Sequence, residues 1–101
     1  MRTAGQVPVD PYVIDSLMPD LVGHDRQPSA FIVYLYLWRR TRSGVTRTVA
    51  SYQMMADGTG LSKSSVQSAV QALVQRRLIE VRRATPTSAP SFAMVCHWRG
   101  R

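Results

Sequence analysis

The stretch that most restricts how this chain can fold is residues 51–77, which predicts two short helices joined by a tight turn. Ser51 and Ser62 each stand before a run of helix-forming residues, where a serine hydroxyl can accept a hydrogen bond from an otherwise unpaired amide. Between them, Gly58 or Gly60 can adopt the positive φ that ends the first helix. The rest of the chain must therefore be arranged around two adjoining helices.

The second of these helices has one apolar face and one polar face without charge. At about 100° per residue, one side collects Val66, Val70, Leu73 and Arg77, flanked by Ala69 and Val74. The opposite side collects Ser64, Ser68, Gln71 and Gln75, with Gln67 and Ala72 at its margins. A solvated helix usually carries Glu and Lys, whereas Ser and Gln donate and accept hydrogen bonds, and Gln can bond an adenine edge. The polar face predicts either a base-reading surface or a solvated helix that simply lacks charge.

Residues 55–62, MADGTGLS, followed by Ser65 and Val66, resemble the helix-turn-helix of bacterial DNA-binding domains. In that family a small residue lies in the first helix, and a glycine, an apolar residue and Ser or Thr open the recognition helix. The residues at those places are Ala56, Gly60, Leu61 and Ser62. Residues 73–83 are similar to the passage from recognition helix to first wing strand in winged-helix regulators. The likeness covers about residues 45–98.

The resemblance implies a winged helix-turn-helix, mainly α with a small antiparallel sheet (α+β). We expect one domain over residues 10–101, with N-terminal helices in 10–42, the helix-turn-helix in 51–77 and the wing in 78–98. Residues 1–9 show no periodicity and predict a flexible tail.

The N-terminal helices are a short one from Asp10 and a longer, very apolar one at residues 30–42. Asp10 followed by proline is a good helix start, and Pro19 is expected to interfere with its continuation. Residues 30–42 have a strand-like composition, but the proline before them and Gly44 after them favour a helix. Because this helix is apolar on all sides, we expect a homodimer through the N-terminal helices. The alternative is that the N-terminal segment folds over its second face.

The remaining segments predict three strands. Residues 45–50 alternate and are rich in β-branched side chains, so they predict a short strand. Residues 78–83 and 92–98 are the expected wing strands, joined by the proline-containing loop 84–91. In the second wing strand, Phe92, Met94, Cys96 and Trp98 should share one face.

Positive charge is concentrated in the segment that holds the helix-turn-helix. Residues 1–38 contain two arginines and four aspartates, whereas residues 39–101 contain 11 bases and only two acids. Twelve of the 13 bases are arginine, whose planar fork suits phosphate. A GC-rich genome would explain arginine over lysine, but not the shortage of acids. The distribution predicts a polyanionic partner, with nucleic acid first.

The resemblance and the charge together predict the residues that contact DNA. The recognition-helix set is Ser62, Lys63, Ser64, Ser65, Gln67, Ser68 and Gln71. Within it, Ser62, Lys63 and the first amides of the helix would hold phosphate, and the residues that would face the major groove are Ser64, Gln67, Ser68 and Gln71. The set for the phosphate backbone and the wing is Ser51, Tyr52, Gln53, Arg82, Arg83, Thr85 and Thr87.

These observations favour sequence-specific binding of double-stranded DNA, by a transcriptional regulator. A replication or plasmid-maintenance factor would use the same module. A winged helix used for protein interaction, with the aromatic helix as its docking surface, is a third possibility. We expect no enzyme, because there is no glycine-rich phosphate loop, no nucleophile with an evident base and no usefully paired carboxylates.

No cofactor, metal or small-molecule ligand is predicted. The aspartates at positions 10, 15, 20 and 25 are read as solvated charges, and neither histidine has zinc-ligand spacing. A single cysteine, Cys96, predicts a core thiol in a reducing compartment. The start of the chain does not look like a signal peptide, and the apolar run 30–38 is too short to span a bilayer. We therefore expect a cytoplasmic, nucleoid-associated protein without a membrane partner.

Overall fold

The computed structural model, which describes residues 5–100, has a helical N-terminal part followed by a winged helix-turn-helix. Helix α1 spans Pro28–Arg40, α2 spans Tyr52–Thr59 and α3 spans Lys63–Gln75. Strands β1 (Thr48–Val49), β2 (Ile79–Arg82) and β3 (Ser91–Met94) form an antiparallel sheet in the order β1-β3-β2. The predicted α+β class and winged helix-turn-helix fold are confirmed. Among residues 5–100, no helix combines the length and the apolar character that crossing a membrane requires.

The sheet is shorter than the sequence predicts at two places. Strand β1 keeps only Thr48 and Val49 of the expected 45–50, because the chain turns after α1 until residue 46. Strand β3 ends at Met94, and His97–Arg99 forms a 3₁₀ turn instead of further strand. The predicted face is therefore confirmed for Phe92 and Met94, which are both buried, and ends there.

Helix α1 is the central helix of the core. Its buried side chains are Ala30, Phe31, Val33, Tyr34, Leu37 and Trp38. Leu17 and Leu21 of the N-terminal part are buried in the same core, and Ile32, at 40% exposure, is the one large hydrophobic side chain of α1 that is exposed. The N-terminal segment thus covers the second face of α1, and most of the apolar surface behind the homodimer prediction is buried within one chain.

The N-terminal segment continues through Pro19, where the sequence predicted an interruption. Val13–Leu17 and Pro19–His24 are both π-helical, with wide turns such as the bond from the Asp25 amide to the Asp20 carbonyl at 2.8 Å. Proline has no amide hydrogen, so it donates no backbone bond in either an α- or a π-helix, and inside an α-helix its ring also clashes with the carbonyl four residues earlier. Around Pro19 the chain has the wider π-helical turns and remains helical to His24.

The two glycines of the helix-turn-helix have different roles. Gly60 takes the positive φ of 82° that ends α2, and its amide bonds the Ala56 carbonyl. Gly58 lies inside α2, where an added Cβ would stand 2.5 Å from Cε1 of Tyr36. Gly58 therefore allows α2 to approach α1 closely, at the usual cost of glycine in a helix.

Helices α1 and α3 end in the same way, with an arginine in the left-handed region. Arg42 (φ 53°) follows α1 and Arg77 (φ 58°) follows α3. In each case the next amide bonds a carbonyl five residues back: Ser43 to Trp38 at 3.0 Å, and Leu78 to Leu73 at 3.0 Å. This Schellman geometry usually employs glycine, so both ends carry a small backbone strain.

Both ends of the described chain meet over α1 in a cluster that we call the terminal clasp: Pro8, Asp10, Trp38, Trp98 and Arg99. The Asp10 carboxylate accepts hydrogen bonds from Trp98 Nε1 at 2.8 Å and Arg99 Nε at 2.7 Å. The Pro8 carbonyl accepts one from Trp38 Nε1 at 2.8 Å. This contact holds the end of the segment predicted as a flexible tail, of which residues 1–4 lie outside the described residues. A helix begins directly after Asp10, as predicted, but the Asp10 carboxylate bonds Trp98 and Arg99, so it is neither a side-chain cap nor a solvated charge.

Candidate nucleic-acid interface

Helix α3 presents the polar face that the sequence predicts. Val66, Ala69, Val70 and Leu73 are buried. The exposed positions of the helix are Lys63, Ser64, Gln67, Ser68, Gln71, Val74 and Gln75. Neither an acid nor a bulky aromatic residue interrupts this face, so it is free to approach an anionic surface closely.

The start of α3 is fixed by its own serines. The Ser62 hydroxyl accepts the Ser65 amide at 3.1 Å and lies 2.9 Å from the Ser65 hydroxyl. Ser64 Oγ is 3.3 Å from the same oxygen. This is the predicted N-cap, and it holds three of the predicted contact residues in one polar cluster at the positive end of the helix dipole.

Predicted residues from three different elements meet in one cavity, which we call the wing groove. Its volume is about 330 Å³. It is lined by Ser51, Tyr52, Gln53, Lys63, Arg83, Thr87, Ser88, Ala89 and Pro90. The start of α2, the start of α3 and the wing loop therefore form a single concave surface. No acidic residue is among its lining, so its electrostatic character is set by Lys63 and Arg83.

Arg83 is held in the wing groove by neutral groups. Its Nη1 donates to the Ser88 carbonyl at 2.6 Å, and its guanidinium carbon lies 5.9 Å from the centre of the Tyr52 ring. Within residues 5–100, no carboxylate pairs with it. The side chain is thus oriented by a carbonyl and a ring while its charge remains available to an anion.

Arg82 lies beside Glu80 and not in the wing groove. Its Nη2 is 3.7 Å from Oε1 of Glu80, and Nη1 of Arg47, the residue before β1, lies at the same distance from that oxygen. Side chains alternate along a strand, so Glu80 and Arg82 share one face of β2. Arg83 follows the end of the strand and lines the wing groove. The structure therefore separates two arginines that the sequence treats as one pair.

The wing loop is stabilised by its hydroxyl groups. The Ser88 hydroxyl accepts the Thr85 amide at 3.2 Å and is 2.6 Å from the Thr85 hydroxyl. Thr87 lines the wing groove, but Thr85 does not. Ser88 was not identified from the sequence, although it both orders the loop and holds Arg83. The only signal was its place in a hydroxyl-rich loop.

Beside the wing groove lies a second concavity with apolar walls. It has a volume of about 550 Å³ and is lined by Tyr52, Val70, Gln71, Val74, Gln75 and Val81. Gln71 is thus set among apolar side chains that could contact a base methyl group. The sequence assigned Val74 to the apolar face of α3. In the structure, where α3 packs beside β2, the Val74 side chain is 42% exposed and lines this concavity.

An ion pair fixes the far end of α3. Arg76 donates from Nε to Asp25 Oδ2 and from Nη2 to Asp25 Oδ1, both at 2.8 Å. The hydrogen bonds from Arg76, with one from His24, lower the pKa of Asp25 to about 2. The prediction that Asp25 is a solvated charge is therefore wrong. It connects the N-terminal segment to the helix that carries the polar face.

Cys96 and Gln53 have structural contacts of their own. Burial raises the pKa of the Cys96 thiol, as expected for a residue packed against the core. Among residues 5–100 there is no group of three His, Cys, Asp or Glu side chains that could hold a metal ion. Gln53 donates to Asp57 Oδ1 at 3.0 Å within α2, so it reaches the wing groove already partly engaged.

Comparison with known proteins gives one family. A family model described as a helix-turn-helix domain matches residues 27–79. The match runs from the start of α1 to the start of β2 and covers more than half of the chain, so the chain belongs to this helix-turn-helix family. No curated protein and no solved structure matches it. Membership of the family supports DNA binding as the general activity.

Proposed function

We propose that this protein binds double-stranded DNA sequence-specifically and acts as a transcriptional regulator, without enzymatic activity. The observation that carries the proposal is the convergence of the predicted contact residues. The starts of α2 and α3 and the wing loop meet in one groove whose charged side chains are Lys63 and Arg83. The uncharged polar face of α3 lies beside it.

In the proposed complex, α3 enters the major groove, which is wide enough to admit an α-helix. Gln67 and Gln71 are the two long uncharged polar side chains of the predicted recognition set and would bond base edges. Lys63, Arg83 and the first amides of α2 would bond phosphates on the flanking strands. Base contacts would set the sequence preference, whereas phosphate contacts would supply most of the salt-dependent affinity.

The proposal includes a homodimer acting at the nucleoid. Ile14, Met18 and Val22 repeat every fourth residue along the N-terminal segment, and each is 37–42% exposed. Such a row is a surface that a second copy can cover.

Light scattering of the wild type and of Ile14→Asp tests this dimer, because the charged variant should be monomeric. Val45→Asp places the same charge at a residue with 76% exposure and should leave the mass unchanged. A monomeric wild type would remove the dimer from the proposal.

Selection from a pool of random duplexes, with sequencing of the bound fraction, tests the DNA proposal directly. The wild type should enrich one motif. Gln71→Ala should relax the preference at one base pair, by about 1–3 kcal/mol of discrimination. Gln6→Ala, the same truncation at an exposed glutamine outside α3, should leave the motif unchanged.

The possible results separate three situations. Enrichment that Gln71→Ala alters at one position supports base reading by α3. Binding without enrichment, lost steeply as salt rises, would leave only non-specific DNA binding. Failure to bind duplex at low salt would rule out the proposed function as a whole.

A further inference from the structure

A second group of arginines lies outside the wing groove, at the end of α1. We call Arg39, Arg40 and Arg42 the α1 arginine patch. Two concave surfaces meet at it. One, of about 510 Å³, is lined by Tyr36, Arg39, Arg40, Arg42 and Thr48. The other, of about 530 Å³, is lined by Gln6, Val7, Pro8, Arg39, Arg42, Ser43 and Val45. Arg39 and Arg42 line both, so their charges face two open surfaces.

Three of the six acids are paired with arginines outside this patch. Asp10 is paired with Arg99, Asp25 with Arg76, and Glu80 with Arg47 and Arg82. None of the three patch arginines forms an ion pair within residues 5–100. Three positive charges within four positions repel one another, and an external anion would relieve that repulsion.

Arg40 is oriented by neutral groups, as Arg83 is in the wing groove. Its Nε donates to Thr48 Oγ1 and its Nη2 to the Val49 carbonyl, both at 3.1 Å. Its guanidinium carbon lies 5.6 Å from the centre of the Tyr36 ring. The charge is thus held in place without being neutralised, which is the arrangement that favours a phosphate oxygen.

The patch lies close to the wing groove. Arg40 bonds the carbonyl of Val49, the Ala50 amide bonds the carbonyl of Pro90, and Ser51 begins the groove lining. Even a fully extended chain from Val49 to Ser51 spans only about 7 Å. DNA presents one negative charge for about every 1.7 Å of its axis. One duplex can therefore offer phosphates to both surfaces.

We propose that the α1 arginine patch contacts phosphates of the same DNA duplex, outside the base pairs that α3 reads. This inference rests on the proposed DNA binding and extends its footprint to a second surface. The contact would add affinity without sequence preference, because phosphates carry no base information. It would also set the orientation of the protein along the duplex.

The test combines salt-dependent affinity with phosphate ethylation interference, both on one long duplex that carries the selected motif. For Arg39→Ala/Arg42→Ala, the slope of log affinity against log salt should be shallower by up to about 1.8, since each phosphate contact contributes about 0.9. Interference at phosphates flanking the motif should disappear, while the selected motif stays the same. Thermal unfolding of each variant establishes that the fold is retained.

A matched control is available for Arg42. Arg26 is also exposed and also has positive φ, 56° against 53° for Arg42, so Arg26→Ala removes the same charge from the same backbone conformation. Arg42→Ala should lose a flanking contact and about 0.9 of slope, and Arg26→Ala should lose neither.

If Arg39→Ala/Arg42→Ala keeps the wild-type slope and interference pattern, the inference is wrong, while the proposed function stands. If Arg26→Ala changes the slope as much as Arg42→Ala does and the flanking interference persists, the effect is one of net charge, and the inference is wrong again. If the wild type itself does not bind the duplex, both proposals are wrong.

Discussion

The terminal clasp and the wing groove each place an arginine against an aromatic ring, but only in the clasp does a carboxylate neutralise the charge of the arginine. In the clasp, the guanidinium carbon of Arg99 lies 5.2 Å from the Trp38 ring centre and its Nε bonds the Asp10 carboxylate. In the groove, the guanidinium carbon of Arg83 lies 5.9 Å from the Tyr52 ring centre and its Nη1 bonds the Ser88 carbonyl. The third partner is a carboxylate in one case and a neutral carbonyl in the other. The clasp therefore stabilises the fold, whereas the groove leaves a positive charge for a ligand.

The clasp also unites residues that are far apart in the chain. Asp10 meets Trp98 and Arg99, and Tyr12 stacks on Trp98 with ring centres 4.5 Å apart. The hydrogen bond from Arg99, with that from Trp98, lowers the pKa of Asp10 despite its partial burial. The groove residues, in contrast, are ordered mainly by local contacts in the wing loop and by helix caps.

The largest effect is expected from removing the centre of the clasp. Trp38 is only 1% exposed, and Trp38→Ala should cost about 3–5 kcal/mol of unfolding free energy, because it creates a large cavity. Trp38→Phe keeps an aromatic ring but loses the bond to the Pro8 carbonyl, and should cost less. Denaturant unfolding measures both. Equal losses in the two variants would mean that the hydrogen bond, and not the packing, dominates.

An intermediate effect is expected from the charge left free in the groove. Arg83→Ala should make the slope of log affinity for DNA against log salt shallower by about 0.9, with little change in stability. Arg82→Ala is the matched control, because Arg82 lies beside Glu80 and not in the wing groove, so its loss should change the slope much less. If the two variants changed the slope equally, the different positions of the two arginines would have no consequence for binding.

The smallest effect is expected from the exposed ion pair between Asp25 and Arg76, which joins an aspartate to an arginine as Asp10 and Arg99 do in the terminal clasp. Asp25 has a folded-state pKa of about 2, below its ordinary value of 3.8. A lowered carboxyl pKa stabilises the fold above the ordinary value, and this contribution is lost as pH falls from near 4 towards 2. The difference in melting temperature between wild type and Asp25→Asn should therefore shrink over that range. A difference that stays constant with pH would show that the ionised pair is not its source.

Much of the fold follows from local sequence signals. The Ser51 and Ser62 hydroxyls cap the two helices as predicted, accepting the Met54 and Ser65 amides. The period of α3 gives its buried and exposed faces, and Gly60 provides the left-handed end of α2. Each of these features depends on residues within a few positions of one another, which is why the sequence shows them.

Other features depend on which elements come together in space. The ring of Tyr36 requires a glycine at position 58. Asp10 pairs with Arg99, 89 positions away, and Asp25 pairs with Arg76, 51 positions away. Arg82 lies beside Glu80, whereas the next residue, Arg83, lines the wing groove. The same holds for α1, because the N-terminal segment covers most of the apolar surface of this helix from which the sequence predicted a dimer interface.

The sequence by itself thus determined the helix-turn-helix, its polar face and the excess of positive charge, because caps, periodicity and composition are properties of the chain. Only the tertiary structure decided which charges are neutralised and which remain free. An ion pair depends on distances of a few ångströms between residues remote in sequence, and no local pattern encodes those distances.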